Sequence, residues 1–152
     1  MVLVSAPFRR DGWFPEIGAA MRQFTPEHGE AMKQSPMYAT YARVAPRPGD
    51  WPVLHAKMGE LLSADYDWSS EVAAITAPTR LVYADSDLIR PAHMVEFFAL
   101  LGGGPRDADW DGSGRPRGRL AILPGTTHYD IFASPALAAP VLDFLGAPTP
   151  GL

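Results

Sequence analysis

The sequence has no cysteine, which excludes disulfides and thiolate metal sites but does not fix a compartment. It has no run of about 18 apolar residues, the length a membrane span requires. The first residues, Met1-Val2-Leu3-Val4-Ser5-Ala6-Pro7, are apolar but few. Arg9 and Arg10 follow them rather than precede them, the reverse of a secretory leader. A cytoplasmic location and no membrane partner are therefore expected. Basic residues are outnumbered, 13 Lys and Arg against 17 Asp and Glu, for a net charge of −4. That disfavours a general nucleic-acid binder, whose phosphate contacts need a basic face. No fixed-period repeat is present.

What is plentiful is turn-forming residue, with 16 Pro and 14 Gly. Apolar residues make up 47% and charged residues 20% of the 152, an ordinary globular balance in a chain long enough for a real core.

Val2 to Ser5 is a run of β-formers without polar alternation, as in a strand covered on both faces. Such a strand so close to the first residue is unusual for a complete domain. Ile17, Met21 and Phe24 recur at i, i+4, i+7 and predict a helix from about Pro15. The character changes from Thr25 to about Ser70. Thr25-Pro26 is a helix start, prolines at 36, 46, 48 and 52 cut the region short, and Asp50 is placed to cap a helix bearing Leu54, Met58, Leu61 and Leu62. Short helices rich in Met, Tyr and Trp read as plain packing or as a lid of adaptable apolar side chains. Within it and at its end, Trp51, Met58, Tyr66 and Trp68 are the candidate substrate-binding residues.

A short helix ending near Ile75 precedes the strand Leu81-Val82-Tyr83. Pro91 opens a helix whose buried face carries Met94, Phe97, Phe98 and Leu101. A long polar loop, Gly103 to Gly118, leads to the strand Leu120 to Leu123. Ser134-Pro135 begins a last helix, with Pro140 predicting a kink or a late start. Strand, helices, strand, helix, strand, helix is the order of a parallel sheet with right-handed crossovers. The expected class is α/β, with about three parallel strands, flanking helices and a helical insertion. The segments are 1–24, a core strand and helix; 25–70, a helical cap; and 71–152, the remaining core.

Ligands on such sheets sit at the carboxyl ends of the strands, where Asp85, Asp87 and His128 all fall. A carboxylate there can accept a hydrogen bond from an imidazole and fix its tautomer. Asp87 is the first candidate and Asp85 the alternative, which also reads as a turn former. His128 follows Pro124-Gly125-Thr126-Thr127, a tight turn after a buried strand. His28, His55 and His93 lie in helical stretches and are weaker candidates.

The motif Val72-x-x-Ile75-x-x-Pro78-Thr79-x-Leu81-Val82-Tyr83-Ala84-x-x-Asp87-x-x-x-Pro91, followed by Leu123-Pro124-Gly125-x-x-His128-Tyr129, resembles the C-terminal half of an α/β-hydrolase. The resemblance implies that Asp87 is the acid and His128 the base, that Val2 to Ser5 is the family's sixth strand, and that 25–70 is its cap. Position 84 is Ala where the family usually has Gly. The implied activity is hydrolysis of an ester, amide or related bond in a small apolar substrate, without cofactor or metal.

The family's nucleophile elbow, Gly-x-Ser-x-Gly, does not occur. Ser5, Ser35, Ser63, Ser69, Ser70, Ser86 and Ser134 lack flanking glycines, and Ser113, between Gly112 and Gly114, lacks the elbow spacing. An N-terminally truncated hydrolase is the simplest account, with an exposed strand edge at Val2, Leu3 and Val4 open to self-association.

Three other readings compete. The chain is a non-catalytic partial hydrolase that binds a ligand or partner. Asp85-Ser-Asp87 serves a magnesium-dependent phosphatase, though that chemistry wants a downstream Lys, and Lys33 and Lys57 both lie upstream. Asp107, Asp109 and Asp111, with Gly112, start a calcium loop whose twelfth place is Gly118 instead of Glu.

Overall fold

The computed structural model describes residues 1–146. The chain forms two compact units, Met1–Phe14 with Tyr66 onward, and Pro15–Asp65.

The first unit is built on a parallel three-stranded sheet in the order β1 (Val2–Val4), β2 (Thr79–Ser86), β3 (Gly118–Thr127). The middle strand is apolar on both faces because both faces are covered. Leu81 and Tyr83 point into a cluster with Phe8, Ile89, Met94 and Phe97. Val82 and Ala84 point the other way, onto Leu123 and Ile131. β1 follows the same alternation: Leu3 joins the first cluster, Val2 and Val4 the second.

Around the sheet lie α5 (Ser69–Ala73), α6 (Pro91–Leu100) and α7 (Ala138–Leu145). Pro91 occupies the first turn of α6, and Met94, Phe97 and Leu101 are buried. Ahead of α7 the chain makes a 3₁₀ turn at Pro135–Leu137. Pro140 falls in the first turn of α7, where its missing N–H costs nothing, so the expected late start is what forms. β2 and β3 outrun the apolar runs Leu81–Tyr83 and Leu120–Leu123. β2 extends through Asp85 and Ser86 because its ladder with β3 resumes beyond an irregularity, at Ser86 opposite Thr127.

His93, in the first turn of α6, is 1% exposed and stacks on Phe8 at 4.1 Å. Its Nε2 accepts from the Phe8 N–H at 3.1 Å, so the ring is neutral with the proton on Nδ1. Gly12 is required beside it, since a Cβ there would come within 2.6 Å of Nε2. Burial, aided by the nearby Arg9 charge, pushes the His93 pKa down to about 4 from 6.5. Between those values the unfolded chain binds a proton that the folded chain refuses, so stability falls as pH drops. The shift corresponds to roughly 3 kcal/mol. Urea unfolding of the wild type should show that loss between pH 7 and pH 4, and His93→Gln should flatten it. Parallel slopes for the two proteins would rule His93 out as the cause.

The second unit comprises α1 (Pro15–Met21), α2 (Pro26–Ala31), α3 (Pro36–Val44) and α4 (Trp51–Ser63). Thr25 caps α2 by accepting from His28 N–H at 3.2 Å, and Ser35 caps α3 by accepting from Tyr38 N–H at 3.2 Å. Asp50 does not cap α4. A 3₁₀ turn at Pro48–Asp50 runs directly into that helix, and the Asp50 carboxylate pairs with Arg47 at 2.8 Å. Trp51 ties α4 to α2, donating from Nε1 to the Gly29 carbonyl at 2.7 Å.

The sequence places the start of the helical segment at residue 25 and its end near 70, whereas the compact unit runs from 15 to 65. Hydrogen bonds account for the far boundary: Tyr66 C=O accepts from Arg10 N–H at 2.9 Å and Trp68 N–H donates to Phe8 C=O at 3.0 Å. Both tie 66–68 to the sheet unit.

Candidate active site

The ladder between β2 and β3 decides where the chemistry sits. Its last pair is Ser86 opposite Thr127, so Asp87 and His128 are the next residues on neighbouring strands. They meet there, with His128 Nδ1 2.9 Å from Asp87 Oδ1. A carboxylate only accepts, so Nδ1 carries the proton and Nε2 is the nitrogen left for proton transfer. The His128 side chain is 23% exposed while that of Asp87 is fully buried. Trp13 packs edge-on against the imidazole at 5.8 Å.

Asp87 is held from four directions. Besides His128, it accepts from Ser5 Oγ at 2.6 Å and Ala84 N–H at 3.1 Å on Oδ2, and from Ile89 N–H at 3.4 Å on Oδ1. Burial alone would raise its pKa. The hydrogen bonds from His128, Ser5 and Ala84 outweigh that and hold it below the usual carboxylate value. Ala84 contributes only its backbone N–H and has no positive φ, so position 84 makes no demand for glycine.

Asp85 has a different task. Its carboxylate accepts from Gly125 N–H at 2.9 Å and Thr126 N–H at 3.3 Å. It braces the turn that carries His128, in which Gly125 adopts φ +68°, a conformation that suits glycine. The two acids of Asp85-Ser86-Asp87 thus serve different loops.

Ser5 is the site residue that a search for nucleophile elbows passes over. It directly follows β1 with φ +47°, a strained conformation for a residue with a side chain. It is 6% exposed, and its hydroxyl reaches Asp87 across 82 positions of sequence. Glycine would relieve the strain and lose the hydroxyl. The one local signal is a polar residue closing an otherwise apolar strand. Ser5→Ala should cost about 1.5–3 kcal/mol, the range for a hydrogen bond to a charged group, and raise the Asp87 pKa. Ser5→Gly should cost less, by about 1 kcal/mol of relieved strain. Urea unfolding and a carboxyl ¹³C titration measure both effects. Two variants as stable as wild type would mean that the hydroxyl is idle.

The candidate substrate-binding residues separate into two places. Trp51 and Met58 line an apolar groove of about 480 Å³ in the helical unit, with Phe24, Tyr41, Leu54 and His55 among its other walls. Tyr66 and Trp68 belong to the sheet unit. They pack on each other at 4.6 Å, and the Tyr66 hydroxyl accepts from Trp13 Nε1 at 3.1 Å. In the acidic loop, Asp107 accepts from Asp109 N–H and Asp111 from Ser113 N–H, so both act locally as turn formers. Among the described residues no group of three or more His, Asp or Glu side chains is placed to hold a metal ion.

A parallel sheet covered on both faces, with a carboxylate after its middle strand and a histidine after the next, is an arrangement found in the α/β-hydrolase fold. Comparison with solved structures agrees: the described fold is part of the α/β-hydrolase fold. One match is an α/β hydrolase enzyme from a Medee basin deep-sea metagenome library, with 16% identity, TM-score 0.55, and coverage of 100% of this chain and 57% of that one. A thermophilic esterase from Thermogutta terrifontis matches at 15% identity and TM-score 0.55, over 95% of this chain and 54% of the other. The enol-lactonase from Burkholderia xenovorans matches at 17% identity and TM-score 0.52, over 95% and 55%. The chain therefore spans a little over half the length of the structures it matches. No family model and no curated protein matches it. Among the described residues no helix is long and apolar enough to cross a membrane.

Proposed function

We propose that this chain supplies the acid and the base of an α/β-fold hydrolase that cleaves an ester, amide or related bond in a small apolar substrate. The observation that carries this reading is the 2.9 Å contact between His128 Nδ1 and the buried Asp87 carboxylate at adjacent strand ends. In this reading His128 Nε2 takes a proton from an attacking hydroxyl and returns it to the leaving group. Asp87 keeps the ring oriented and stabilises the imidazolium. The nucleophile comes from outside these residues. The helical unit corresponds to the family's cap, and its own apolar groove at Trp51 and Met58 suits an apolar group of a ligand. Structural relatives that include an esterase and an enol-lactonase support hydrolysis as the class of reaction.

Hydrolysis of a short-chain p-nitrophenyl ester by the purified chain, with and without His128→Ala, tests the assignment of the nucleophile. The expected result is no turnover above background in either protein. Turnover abolished by His128→Ala would instead locate a nucleophile within these residues and overturn that part of the proposal.

A further inference from the structure

The opposite end of the sheet carries a feature that hydrolysis does not use. Arg80 and Arg119 are direct partners in the parallel ladder of β2 and β3, so their side chains leave the same face side by side. Like charges placed so are unfavourable in an empty site. Arg117 lies just ahead of β3, its Nη1 donating to the Thr76 carbonyl at 3.4 Å. Arg115 stands on the approach to β3. All four line one cavity of about 500 Å³, together with Asp143 and Phe144 of α7.

The cavity is polar and strongly cationic, in a chain whose net charge is −4. Asp143 offsets part of the charge, its Oδ2 lying 3.3 Å from Arg80 Nη2. The Arg80 guanidinium sits 5.4 Å over the Phe144 ring, which fixes its direction. Its Nε is buried without a hydrogen-bond partner, and the side chain is 13% exposed. Four guanidinium groups against one carboxylate leave a surplus that a singly charged anion does not balance. Planar guanidinium forks suit phosphate oxygens, which they grip in pairs. The distance from Arg80 to Asp87 along β2 is roughly 20 Å at ordinary strand rise, so the cavity lies apart from the acid–base pair.

We propose that Arg80, Arg115, Arg117 and Arg119 form a binding site for a small anion bearing two or more phosphate groups. The proposal is independent of the hydrolase reading. Its test uses the full chain and inorganic pyrophosphate at low ionic strength, followed by calorimetry and thermal unfolding. Pyrophosphate should bind saturably, and citrate at matched ionic strength should bind more weakly. Arg117→Gln and Arg119→Gln, both at exposed positions, should each weaken pyrophosphate by about tenfold or more, as expected for loss of a charge-assisted hydrogen bond. Arg43→Gln, in the helical unit, should leave binding unchanged.

The apo state supplies a second readout. Without anion, Arg119→Gln should melt at or above the wild-type temperature, because a like-charge contact is removed. With pyrophosphate the order should reverse. Absence of saturable binding would overturn the proposal. So would equal affinity for citrate, which would mark a general attraction for anions, or equal affinity of the arginine variants, which would place the ligand elsewhere.

Discussion

Asp87→Ala is expected to destabilise the chain by about 3–5 kcal/mol, the range for removing one partner from a buried charged pair. The carboxylate satisfies a hydroxyl, two backbone N–H groups and an imidazole at once. Each buried donor left without an acceptor costs about 1–3 kcal/mol. The surrounding core cannot collapse onto the gap, because Ala84 and Ile89 are themselves fully buried. His128→Ala should cost only about 1 kcal/mol, since its ring is partly solvated and Asp87 keeps three other donors. The contrast separates a carboxylate built into the fold from an imidazole displayed by it. The pH profile gives a second check. The depressed pKa of Asp87 contributes stability that is fully present above its unfolded value of 3.8 and is lost as pH falls through the folded value. Asp87→Ala should remove that limb below pH 3.8 and leave the His93 limb between 6.5 and 4 intact. Urea unfolding from pH 7 to pH 2 measures all of this. Equal losses from Asp87→Ala and His128→Ala at pH 7 would mean that Asp87 does not organise its surroundings.

The pairing of Asp87 with His128 was legible because it depends on order alone. Each follows a buried strand directly, and two neighbouring parallel strands bring their ends together. The α/β class was legible for a similar reason, since runs such as Leu81-Val82-Tyr83 report burial on both faces. Ser5 was not legible in its role. Its contact with Asp87 depends on the register of β1 against β2, and strand register is a long-range property that no local window contains. The same holds for Arg80 beside Arg119, which are unremarkable charges until the ladder makes them neighbours. Asp85 and Asp87 look equivalent in sequence, and only the irregularity after Ala84 sends one to the His128 turn and the other to the imidazole. Trp51, Met58, Tyr66 and Trp68 share a composition but not a surface, because the chain returns to the sheet unit at Tyr66.

The largest gain expected of this chain is hydrolytic activity when a separate segment bearing a Gly-x-Ser-x-Gly elbow and its strand is supplied. β1 is where that segment would add. Ser5 N–H donates to Val82 C=O and Met1 C=O accepts from Arg80 N–H, each at 2.9 Å. Alternate positions of β1 therefore face β2, and by parallel-ladder geometry Val2 and Val4 aim their N–H and C=O groups at the opposite edge. Among the described residues no strand pairs there. Such an edge is a template for another strand. The elbow strand would place its serine at the same end of the sheet as Asp87 and His128. Without that segment a second copy of the chain is the expected occupant, giving association that grows with concentration in sedimentation velocity. Val4→Pro removes one outward N–H, a substitution that edge strands tolerate. It should abolish both self-association and complementation, at the cost of the Val4 packing on Val82 and Ala84. His128→Ala should bind the segment as tightly as wild type yet lose p-nitrophenyl ester turnover by about 10⁶-fold. Turnover that survives His128→Ala would assign the chemistry to the added segment alone. Binding that survives Val4→Pro would place the junction at another surface.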